Sequence, residues 1–255
     1  MTRTIVYEHP LNERIRTLLR LEHLFHRLEA ALAHRETWAS RRALEALVDL
    51  VELLSRPELR GELIKALERQ QGVLAHLLNA PGVDAVRLDD VLARLEAARA
   101  ALHGETGLLG QSVREQELVS AVAQRAMVVG GACDFELPLL HHWLHQPEEQ
   151  RHALLCAWAR ELQTGPDAAR LILDVLRGSG EPVECTAAGG FYQRALDRNV
   201  PYQLLRVEVP AGLPCYAEVS AGRHRLTVRF MQPRATERPL QSTDDIPFCL
   251  SCCAL

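Results

Sequence analysis

The stretch GRHRLTVRF, residues 222–230, gathers more charge into a regular pattern than any other part of this chain. Read as a strand, it sends Arg223, Arg225, Thr227 and Arg229 to one face. His224, Leu226, Val228 and Phe230 go to the other. Guanidinium groups two residues apart on a strand stand about 7 Å apart. They repel one another unless an anion or an acidic neighbour offsets them, and their planar forks fit carboxylates. A solvated sheet face, an acidic peptide site and a nucleic-acid contact all satisfy that pattern.

A second basic array runs along the first helix. Arg16, Arg20, His23 and Arg27 recur at i, i+4, i+7 and i+11, within one narrow arc away from the apolar face. Few acids share the arc, so the pattern reads either as a solvated polar face or as a positive binding stripe. The segment HHWLH puts His141 and His145 at i, i+4, a spacing that binds zinc in H-E-x-x-H helices. The catalytic glutamate of that motif is missing and no third ligand is fixed by spacing, so surface or half-buried histidines come ahead of a zinc hydrolase.

The terminus PFCLSCCAL offers half a zinc site, a prenylation-like ending or a β-strand. Ile246, Phe248, Leu250 and Cys252 alternate with Pro247, Cys249, Ser251 and Cys253, which favours a strand. No phosphate-binding loop, nucleophile elbow or dinucleotide fingerprint occurs, and no nucleophile has its base beside it. The chain reads as a binding protein rather than an enzyme, with no cofactor and no metal expected.

The elements that must position these groups are legible from periodicity. Pro10 is expected to open a long helix carrying Leu11, Ile15, Leu18, Phe25, Leu28 and Leu32. Further helices fit Ser40–Leu54, a segment from Pro57 to Leu77, Val86–Leu102, residues 111–128, and starts at Pro138, Pro147 and near Pro166. The stretch NAPGVD, residues 79–84, is turn chemistry. After RGSGEP the period changes to two, in YQLLRVEVP, in PCYAEVSAGRHRLTVRFMQP and at the terminus. Helices first and strands last predict an α+β fold, a mainly helical domain over 1–178 followed by a smaller antiparallel β-sheet domain over 179–255. Short strands near 3–8 and 133–137 are expected to join that sheet.

Length and composition agree with a globular protein able to bury a real core: 255 residues, 47% hydrophobic and 24% charged. The formal net charge of -4 gives no general attraction to nucleic acid or anionic membrane. Seven cysteines without a framework spacing predict free thiols in a reducing compartment. No apolar run approaches the roughly 20 residues of a membrane span, and the first ten residues do not read as a secretory signal.

Several blocks resemble the ZapD family of bacterial cell-division proteins. They are YEHPLNERIRTLLRLEHL at 7–24, ELIKALERQQ at 62–71, PGVD at 81–84, GGACDFELPLLHHWLH at 130–145, GFYQ at 190–193 and RLTVRFM at 225–231. The resemblance runs collinearly over nearly the whole chain. It implies a homodimer without catalysis that binds the C-terminal tail of FtsZ and bundles FtsZ filaments, supporting Z-ring assembly and septum formation. It also implies a cytoplasmic protein recruited to the mid-cell ring, with no membrane insertion and no nucleic-acid partner. The family's basic surface carries over onto Arg16, Arg56, His141, Arg225 and Arg229. Arg20 and Arg223 are added from periodicity alone. A nucleic-acid-binding accessory protein using the same arginines is the alternative.

Overall fold

The computed structural model describes residues 3–77, 83–222 and 224–255. Residues 79–82 of the expected turn, and Arg223, lie outside the described residues. The chain opens with strand β1 (Thr4–Pro10). Nine helices follow among the described residues: α1 (Glu13–Leu32), α2 (Thr37–Leu54), α3 (Leu59–Ala75), α4 (Ala85–Gly104), α5 (Gln111–Arg114), α6 (Glu117–Arg125), α7 (Pro138–Leu144), α8 (Glu148–Glu161) and α9 (Thr164–Arg177). The remaining strands are β2 (Val183–Ala187), β3 (Phe191–Ala195), β4 (Tyr202–Pro210), β5 (Tyr216–Ala221), β6 (Arg225–Gln232), β7 (Leu240–Gln241) and β8 (Ile246–Ala254). The fold is α+β, helices first and antiparallel sheets after, as the change of period predicts.

The chain divides into two compact units, one of Thr17–Ile172 and one of Met1–Arg16 with Leu173–Leu255. In the first, α2 is the organising element. Ala39, Ala43, Leu44, Leu47, Leu50, Val51 and Leu54 are all buried, because α2 packs against α5, α6, α7 and α8 at once. The antiparallel pair α3 and α4 closes over Leu63, Leu67, Leu88 and Leu95.

In the second unit, two sheets share one core. The first has strand order β1-β4-β8-β2; the second has order β3-β6-β5, with β7 on β6. Leu205, Val207, Phe248 and Leu250 of the first sheet meet Leu226, Val228 and Phe230 of the second. Phe248 touches Tyr192 edge-on at 5.2 Å between ring centres and Phe230 at 5.3 Å.

Three expectations are corrected. Pro10 ends β1, paired with Leu204 of β4, rather than opening the helix. Asn12 starts α1 instead, its side-chain oxygen accepting from the Ile15 N–H at 2.9 Å. Residues 111–128 form two short helices, because Gln116 is extended (φ -63, ψ 130) and interrupts the run. Residues 133–137 are not a strand. They form a series of turns, in which the Glu136 and Leu137 N–H groups donate to the Cys133 carbonyl.

The terminal strand β8 lies inside the first sheet, between β4 and β2. Both its faces are covered toward its C-terminal end. Ile246, Phe248 and Leu250 enter the shared core, while Ser251 and Cys253 are buried on the opposite side. There the Ala254 N–H donates to Ser179 Oγ at 3.1 Å, just past the end of α9. All seven cysteines are free thiols.

Candidate functional site: an exposed basic sheet face

Strand β6 sorts its side chains as the alternation predicts. Leu226, Val228 and Phe230 are completely buried, whereas Arg225 and Arg229 are exposed and Thr227 is half-buried between them. The pairing register lays out the whole outer face. Arg225 stands opposite Ala195 of β3, Thr227 opposite Gln193, and Arg229 opposite Phe191. On the other side Thr227 faces Ser220 of β5, Arg229 faces Glu218, and Met231 faces Tyr216. Among the described residues, no carboxylate lies within ion-pair distance of either arginine. The Glu218 carboxylate instead accepts from the Tyr216 hydroxyl at 3.4 Å. Glu218, Val219, Ser220, Thr227 and Arg229 line an open cavity of about 440 Å³.

At the start of β6 a second cavity, about 430 Å³, is lined by Leu11, Leu196, Val200, Pro201 and Tyr202, with Arg198 and His224 among its polar members. Its lining reaches His224, the residue before Arg225.

The other expected site residues are spread over several elements. Arg16 is exposed on the first turn of α1, 3.2 Å from Glu13, and belongs to the same unit as β6. Burial, and secondarily the positive charge of Arg16, hold His9 below its ordinary value of 6.5. Arg20, Arg56 and His141 belong to the helical unit. Arg20 is exposed on α1, and Arg56 is exposed in the turn between α2 and α3. His141, on α7, lies 3.0 Å from an Asp134 carboxylate oxygen, and its ring centre is 4.5 Å from that of His145 with the rings tilted by 53°.

The α1 stripe carries more negative charge around it than its own sequence suggests, because Asp49 of α2 meets Arg27 at 3.1 Å. The structure therefore brings Arg225 and Arg229 onto one strand face and leaves Arg20, Arg56 and His141 on three separate elements. Among the described residues, no group of three or more His, Cys, Asp or Glu side chains is arranged to hold a metal ion.

A model of the cell-division protein family ZapD matches residues 19–229. The chain belongs to the ZapD family. The cell division protein ZapD of Methylococcus capsulatus is 40% identical over 255 residues, covering all of both chains. Those of Ralstonia nicotianae and Cupriavidus taiwanensis are each 39% identical over 250 residues, covering 98% of this chain and 99% of the relative. Membership of the ZapD family gives the chain a role in cell division. Among the described residues, no helix is long and apolar enough to cross a membrane.

Sequence reasoning missed Glu218, Ser220, Gln193 and Phe191 as parts of this face. A signal for the first two was present. The Gly222 N–H donates to the Arg225 carbonyl at 3.0 Å, and counting outward from that pair puts Ser220 beside Thr227 and Glu218 beside Arg229. The β3 partners carry no such signal, since about 30 residues separate the two strands.

Proposed function

We propose that this protein is a cell-division factor that binds the C-terminal tail of FtsZ and, as a homodimer, cross-links FtsZ filaments into bundles. Arg225 and Arg229 carry the reading: two exposed guanidinium groups on one rigid strand, without an ion-pair partner among the described residues. Arg16, Arg20, Arg56 and His141, all within the mainly helical portion over 1–178, are further contacts in this proposal, and the arginine strand belongs to the portion over 179–255. Family membership in a cell-division lineage supports the choice of partner, as does the fit between arginine forks and carboxylates. The protein acts in the cytoplasm and is recruited to the mid-cell ring.

The physical logic is multivalency. A two-fold symmetric dimer presents the basic face twice. Ordering a flexible tail keeps each single contact modest. A filament displays many tails, so engaging two at once raises the effective affinity by about 10²-fold or more without new contacts. Lone FtsZ subunits are then bound weakly and filaments strongly.

Sedimentation of GTP-assembled FtsZ tests this. The protein is expected in the pellet with bundled filaments, the effect weakening as salt rises beyond physiological levels. Equal recovery with FtsZ lacking its tail would refute tail recognition.

A further inference from the structure

We propose that Glu218 makes the outer face of the second sheet selective for a mixed-charge extended segment: one that presents carboxylates to Arg225 and Arg229 and a cation to Glu218. The inference rests on the tail-binding reading and deepens it, by assigning the tail's charge pattern and the residue that reads it.

The grid of side chains carries the argument. Arg225 and Arg229 are four residues apart on β6, about 13 Å along the strand, so a second extended chain can meet both with carboxylates at matching spacing. The two arginines differ in their surroundings. Arg225 stands opposite Ala195, and on its other side its carbonyl accepts from Gly222, the residue just past the end of β5. Arg229 has Glu218 directly opposite, about 5 Å away between Cβ atoms. That carboxylate is not consumed by the arginine. It accepts from the hydroxyl of Tyr216, two residues away on β5, and burial together with Glu218 raises the Tyr216 phenol above its ordinary value of 10.0.

The face therefore presents positive charge alone at one end and a positive and a negative charge side by side at the other. Ser220 and Thr227 are the small neighbours on one side of the charged pair, and with Glu218 and Arg229 they bound the open cavity of about 440 Å³, while Phe191 and Tyr216 stand beside the pair on its other sides.

Ligands of a single sign fit this pattern poorly. An all-acidic strand satisfies Arg225 but sets a carboxylate beside Glu218 when it reaches Arg229, and like charges side by side across a sheet are unfavourable. A segment with a lysine or arginine next to its second carboxylate answers all three charges. Glu218 thus acts as a specificity-determining residue, weakening the hold on general polyanions while retaining a patterned peptide.

The test uses the full-length protein, its Glu218→Gln variant, and a Glu184→Gln control that removes the same charge from an exposed position on β2 of the other sheet. Binding is read by fluorescence anisotropy with two synthetic peptides of equal length. One is purely acidic. The other keeps the same carboxylates but carries a lysine beside the second.

Wild type and Glu184→Gln are expected to prefer the mixed-charge peptide. Glu218→Gln should bind the acidic peptide about fivefold tighter and the mixed-charge peptide about fivefold more weakly than wild type, as expected for one exposed ion pair. An unchanged ratio between the peptides in Glu218→Gln, an equal shift in Glu184→Gln, or the absence of binding to either peptide overturns the proposal. So does tighter binding of wild type to a single-stranded oligonucleotide than to the mixed-charge peptide. A changed ratio with tail-independent FtsZ sedimentation would remove the partner and keep the charge reading. Tail-dependent sedimentation with an unchanged ratio would remove only the role of Glu218.

Discussion

The outer faces of the two sheets use the same residue in opposite ways. On the first sheet, Arg206 of β4 stands opposite Glu8 of β1 and lies 3.2 Å from it. Arg177, at the end of α9, grips both oxygens of the same carboxylate at 2.8 Å each. Glu208 and Asp174 complete the set at 3.3 and 3.5 Å. The side chains of Glu8, Arg177 and Arg206 are only 18%, 21% and 22% exposed. On the second sheet, Arg225 and Arg229 project into solvent. Arginine on a strand is therefore held in a network or left projecting into solvent according to what crosses its face. Where a helix end covers the sheet, the guanidinium groups are locked into a network. Where nothing covers it, they stay available.

The largest effect expected from this contrast is on stability, at the covered face. Glu8→Ala takes from two half-buried arginines the carboxylate they share, and breaking a mostly buried pair costs on the order of 3 kcal/mol. Urea denaturation should show a lower midpoint with an unchanged slope. Peptide affinity of the folded variant should match wild type. A change within about 0.5 kcal/mol, the range of ordinary surface substitutions, would mean that the network adds little to the fold.

The next effect inverts the readouts. Arg225→Glu reverses charge on an exposed position that has no ion-pair partner among the described residues, so stability should stay within about 0.5 kcal/mol of wild type. Tail affinity should fall by about a hundredfold, from loss of a charge-assisted contact plus new repulsion. Titration of the variant with an FtsZ tail peptide measures it. Binding at wild-type strength would show that the uncovered arginines are a solvated face and nothing more.

How far the sequence anticipated this contrast depends on what each feature rests upon. The face assignment of Arg225 and Arg229 needed only period two, because Leu226, Val228 and Phe230 have to be buried together. The strand character of the terminus needed no more than that. Its place inside the sheet did not follow, since strand order depends on pairings such as Glu208 with Cys249, about 40 residues apart.

The separation of the two kinds of arginine was equally hidden. Arg206 in YQLLRVEVP alternates like any outward-facing residue, and only tertiary folding brings Glu8 and Arg177 onto it. Pro10 misled for a local reason. Proline suits a helix start and a strand end alike, and Asn12, the better capping residue, was two positions further on. The CDFELP segment shows a limit of alternation itself: the residue types alternate, yet the segment folds into turns in which Asp134 and Phe135 are both exposed.

The smallest effect probes the covered face from beneath. Cys253 is completely buried on β8, its Sγ 3.9 Å from the Arg177 carbonyl. Burial pushes its thiol from an ordinary value of 9.0 up to about 11, against the opposing pull of Arg206. In the folded protein the thiol thus holds its proton at pH values where the unfolded chain has released it. Stability from this group is complete below about pH 9 and is lost as pH rises through about 11.

At pH 10 the loss is about 1 kcal/mol. Tyr192, Cys215 and Cys252, also raised by burial, add slopes of the same sign. Cys253→Ala isolates one contribution. Its urea midpoint should fall less than that of wild type between pH 8 and pH 10, even though the variant starts from a lower stability because a buried atom is missing. Parallel curves for the two proteins would place the alkaline weakness elsewhere than under the Glu8, Arg177 and Arg206 network.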